Sequence, residues 1–112
     1  MTTTAEEIQL DINAARELVK DGDRLMRLHE NEDFKALIVE GYFKAEPARL
    51  TQIKAHPGMQ SDEQQQNILR ALDAIGGLQQ YFHKIFIQAD QAEEAIRVNE
   101  QELENMAEEG EI

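Results

Sequence analysis

Ile8, Ile12, Ala15, Val19, Gly22 and Met26 fall at alternating steps of four and three residues, a spacing that lays side chains along one face of an α-helix. Leu18, Leu25 and Leu28 broaden this stripe into a surface able to meet a core. Thr4 precedes it with Glu7 three positions later, so each side chain can accept from the other's backbone N–H in a capping box. These features predict a first helix over about 5–29. A second stripe, Phe34, Leu37, Ile38, Gly41 and Ala45, is out of phase with the first by more than about 100°, too much for supercoil drift. Asn31 can cap a new helix, with Glu32 and Asp33 at its positive end. A break at 30–32 and a second helix over about 32–55 follow. Pro47 removes one backbone bond and crowds the preceding turn, but Leu50 and Ile53 remain available to a core. A kink or restart is expected there, without reversal.

The reversal belongs to "HPGMQS", residues 56–61, where Pro57-Gly58 punctuates the chain. Ser61 and Gln64 form a second capping box, opening a third helix predicted over about 62–107. Its core positions begin with Ile68, Leu72, Ile75 and Leu78. From Phe82 the steps become strict: Phe82, Ile85, Ala89, Ala92, Ile96, Asn99, Leu103, Met106, a coiled-coil-like seam with one polar member. Gly76-Gly77 lowers helicity and implies a bend or a close helix crossing.

The fold class is therefore all-α, a three-helix bundle or a helical hairpin with a long, coiled-coil-like C-terminal helix, in a single domain. Reversal near Gly58 sets Phe34 level with the Phe82 region and Phe43 level with residues 72–74. Folded back at residue 30, the first helix would lie alongside both and end near the level of Asp62. Tyr42 and Phe43, in "EGYFKAEPARL", point about 100° apart, so one packs inside and the other at a helix boundary. They read as core, not as a ligand patch. In this arrangement the third helix outruns its neighbours past residue 87 by roughly 20 residues, or about 30 Å. A lone helix of that length is marginal in water. Ala89, Ala92, Ile96, Asn99, Leu103 and Met106 are accordingly expected to form a partner interface, in a homo-oligomer or with another protein, and Asn99 would select its register.

Composition narrows the picture. The 112 residues suffice for one modest core, with 41% hydrophobic and 30% charged residues in the globular range. Valine-rich and isoleucine-rich runs that would mark strands are missing. There is no cysteine, which removes disulfides and thiolate metal sites. No stretch approaches the roughly 20 apolar residues of a membrane span, so a soluble, cytoplasmic protein is the expectation. The net charge of −12 is uneven: residues 87–112 hold 9 acids and 1 base, whereas residues 34–60 hold 2 acids and 4 bases. Such a surface repels phosphate backbones, which argues against direct nucleic-acid binding.

Candidate chemistry is sparse. His29, His56 and His83 stand apart in sequence, and neither HExxH nor Glu-x-x-His occurs. His56 reads as part of its turn, and the other two as helix surface or boundary. Acid pairs one helical turn apart, Glu30/Asp33 and Asp90/Glu93, have the spacing by which all-α nucleotide pyrophosphatases hold Mg²⁺. Such pairs arise by chance among 23 acids, and no basic phosphate clamp accompanies them. Gly76-Gly77 lacks the strand and the Gly-Lys-Ser/Thr ending of a phosphate loop. No catalytic, metal or cofactor-binding residue is assigned, and a non-enzyme is expected. The acids around Glu93-Glu94, Glu100, Glu102, Glu104 and Glu108-Glu109 admit an alternative, a nucleic-acid mimic that inhibits a host enzyme, although solvation of an exposed helix explains them as well.

"LHENEDFKALIVEGYFKAEPARL" followed by "ILRALDAIGGLQQYFHKI" resembles small acidic helical proteins encoded in the structural-gene clusters of tailed bacteriophages. The likeness covers about residues 25–86 and rests on Asn31, Asp33-Phe34-Lys35, Gly41-Tyr42-Phe43 and "ALDAIGGLQQYF". It implies a non-enzymatic role in virion structure or assembly, in the particle or the cytoplasm of an infected bacterium. It brings no catalytic residues.

Overall fold

The computed structural model describes residues 4–110. The protein is all-α, with no strand among the described residues. In chain order it has α1 (Ala5–Glu30), a single turn α2 (Glu32–Phe34), a π-helical segment (Lys35–Ala45), α3 (Glu46–Ala55), a 3₁₀ turn (Pro57–Met59) and the long α4 (Asp62–Glu108). The chain divides into two compact units: one pairs the chain up to Leu25 with the chain from Lys84, and the other comprises Met26–His83.

Local chemistry explains each boundary. The Glu7 N–H donates to Thr4 Oγ1 at 3.1 Å and the Thr4 N–H to Glu7 Oε2 at 3.4 Å, which closes the first capping box. Asn31 leaves the helical region at φ −74°, ψ 125°, and its Oδ1 accepts from the Phe34 N–H at 2.9 Å. Pro47 lies in the first turn of α3, where a missing N–H is tolerated. The widened turns of the π segment end directly before it, with the Glu46 N–H donating to the Gly41 carbonyl. Past the end of α4, Gly110 takes φ 76°, a left-handed conformation suited to glycine.

In the first unit α1 runs antiparallel to the second half of α4. Ile8 and Ile12 pack on Met106, with Ala5, Ile96 and Leu103 against them. Further along, Gly22 meets Ala89 so closely that a Cβ on residue 22 would lie 2.5 Å from the Ala89 Cβ. Large side chains thus fill the stretch around Met106, and small ones, Ala15, Gly22, Ala89 and Ala92, fill the stretch around Ala89. Burying Ile8, Ile12 and Met106 contributes about 1.5–3 kcal/mol each.

The second unit is a helical hairpin around Leu50, Ile68 and Ile75, with Tyr42, Phe43, Ile53 and Leu72 packed against them. His29, Phe34, Phe43 and Phe82 form an aromatic cluster, with centroids 6.0 Å apart for Phe34–Phe82 and 5.8 Å for Phe43–Phe82. His29 approaches Phe34 edge-on at 5.3 Å. At the reversal, His56 Nδ1 accepts from the Gly58 N–H at 2.9 Å. Two glutamines clamp the same turn: Gln60 Nε2 donates to the carbonyls of Lys54 and His56, and Gln65 Nε2 to those of Lys54 and Met59.

Candidate interaction surface

The six residues expected at a partner interface are occupied from within the chain. Ala89, Ala92 and Met106 are buried, Asn99 is half-buried, and Ile96 and Leu103 pack on the Ile8–Ile12–Met106 cluster. The expectation of an uncovered seam past residue 87 is therefore corrected. It assumed that the first helix folds back over residues 62–83, whereas α1 up to Leu25 packs on the second half of α4. Of the two readings for Gly76-Gly77, a bend or a close helix crossing, the close crossing is not found. A Cβ at either glycine meets nothing within 4 Å, and the tight approach is at Gly22.

No polar constellation assembles in place of the seam. Among the described residues, no three of His, Asp and Glu converge in a way that could hold a metal ion. Glu94 is bonded to Arg97, and that hydrogen bond, aided by the guanidinium charge, holds its carboxyl below the usual carboxylate range. Arg49 acts on Glu46 in the same way. Both are exposed pairs within a single helix and are worth little to stability.

The two edges of the α1–α4 pair differ. One is bridged by Arg16 and Glu100, whose ion pair spans 3.4 Å. The other is an open groove floored by Ala14, Ala15, Ala92 and Ala95 and walled by Leu18, with Asp11, Gln88 and Gln91 beside it. Leu10 stays 62% exposed and Val98 50% exposed. Val98 lies one turn after Ala95, at the outer rim of this edge, whereas Leu10, two residues from both Ile8 and Ile12, points to the opposite side of α1. Charge surrounds this edge: the unit holds 15 acids and 5 bases, a net −10 of the −12 in the whole chain.

In the Met26–His83 unit, Leu37 is 72% exposed and lines a shallow depression with Gly41 and Tyr42. A recess beside the reversal is lined by Arg49, Ile53, His56 and Met59. No helix among the described residues is long and apolar enough to cross a membrane. Sequence reasoning missed the Ala14–Ala95 groove, although the alanines at 14, 15, 92 and 95 were visible; their shared edge depends on how α1 and α4 pair. No family model, curated protein or solved structure matches the chain.

Proposed function

We propose that this chain is a non-enzymatic bacteriophage structural or assembly protein that acts through helix-mediated contacts with other proteins, in the virion or in the cytoplasm of the infected host. The observation that carries the reading is the imbalance between buried and exposed apolar groups. Among the described residues ten hydrophobic side chains are buried, three of them alanine, while nine large ones, Leu10, Leu18, Leu37 and Val98 among them, remain exposed. The resemblance of residues 25–86 to phage structural-cluster proteins supplies the context. Homo-oligomerisation through the 89–106 seam has lost its basis, since α1 fills that seam; association falls to the exposed faces.

Two measurements test this. The chain should co-purify with particles, or tagged protein should retain an identified structural protein of the same phage. Light scattering over micromolar concentrations reports self-association separately. A protein that is absent from particles, retains no structural protein and stays monomeric would defeat the proposal.

A further inference from the structure

We infer that the open edge of the α1–α4 pair docks a basic amphipathic helix of a partner protein. The inference rests on the interaction reading above and names the chemistry of the partner. The floor of the groove is alanine, so a third helix can approach closely and set a ridge of side chains between α1 and α4. From Gln88 to Val98 the edge runs about 15 Å at 1.5 Å per residue, room for about three turns of a docked helix. Leu18, and Val98 at its outer rim, supply exposed apolar contacts along it.

Charge selects the occupant. Asp11 lines the groove, and Glu102 follows Ala95 by two turns on the same side. Four of the five bases in this unit are already engaged by its own acids: Arg16 with Glu100, Lys20 with Glu17, Arg24 with Asp21 and Arg97 with Glu94. The net −10 is thus not offset within the unit, and its field favours a cationic partner. A second copy docking by the same edge would bring another −10, and nucleic acid would bring phosphates; both meet like charge. A helix with leucine and alanine on one face and lysine or arginine flanking it satisfies both the groove and the field.

The test is calorimetric titration of the full chain with a blocked 16-residue peptide of that design, beside a scrambled peptide of identical composition. The designed peptide should bind one-to-one, and the scrambled one at least about tenfold more weakly. Leu18→Gln with Ala95→Gln should weaken binding by about tenfold or more at unchanged helicity, since both side chains are exposed. Asp11→Asn with Glu102→Gln, which leaves the apolar groove intact, should weaken binding and flatten its dependence on salt. Equal binding of the scrambled peptide, indifference to both double variants, or no saturable binding would overturn the inference. So would self-association abolished by Leu18→Gln with Ala95→Gln, which would make a second copy the occupant. A structural protein retained equally by the native chain and that variant would overturn the groove while leaving the interaction reading intact.

Discussion

Gly22 and Gly77 are the same residue type in helices, with opposite consequences. At Gly22 an added methyl group would meet the Ala89 Cβ at 2.5 Å, and neither group can rotate away. Gly22→Ala should lower stability by about 1–3 kcal/mol in denaturant unfolding, despite alanine's better helix propensity. Ala89→Gly in the same chain should recover part of the loss, and a double-variant cycle measures that coupling. At Gly77 an added methyl group meets nothing within 4 Å. Gly77→Ala should therefore raise stability by about 0.5–1 kcal/mol through backbone entropy alone, visible as a higher unfolding midpoint. Spacing placed Gly22 on the buried stripe of α1, but nothing in the one-dimensional order pairs it with Ala89.

The helices start where their capping chemistry says they should. Asn31 is one residue between two helical segments, and its side chain holds the Phe34 N–H at 2.9 Å. Asn31→Ala should cost about 1 kcal/mol and speed amide exchange through residues 32–36, while leaving the Thr4 and Ser61 caps unaffected. Within α4, the bond between Arg97 and Glu94 keeps the glutamate below its ordinary pKa. Its folded value lies below the unfolded one, so the pair's contribution is complete above the unfolded value and disappears as pH falls through the folded value. A carbon-detected titration of Glu94 should show a midpoint below that of an ordinary glutamate, returning towards it in Arg97→Gln. The π-helical run before Pro47 was not legible, because periodicity at 3.6 residues reports a kink without saying which wider turn absorbs it. The glutamine clamps at Gln60 and Gln65 were equally hidden, since long-range side-chain bonds leave no trace in local spacing.

Charge acts on the protein as a whole. With −12 overall and −10 in the α1–α4 pair, repulsion among carboxylates opposes the compact state. Raising ionic strength from about 10 mM to about 150 mM shortens the screening length from roughly 30 Å to 8 Å and should raise the thermal midpoint. An unchanged or lower midpoint would mean that the acids are already compensated. The all-α class, the buried stripe of α1, the caps and the reversal at Pro57-Gly58 were determined by the sequence alone, because each depends on neighbours within one or two turns. So was the meeting of Phe34 with Phe82, which the length of the hairpin dictates. The second stripe was not, since Leu37 and Ala45, in the π-helical segment, are exposed. What the second half of α4 packs against was decided only in three dimensions. A heptad stripe records that a face is buried and is silent about the surface that buries it. Ile8 and Ile12 supply that surface from the far end of the chain, and the groove left open beside Ala14 and Ala95 exists only because they do.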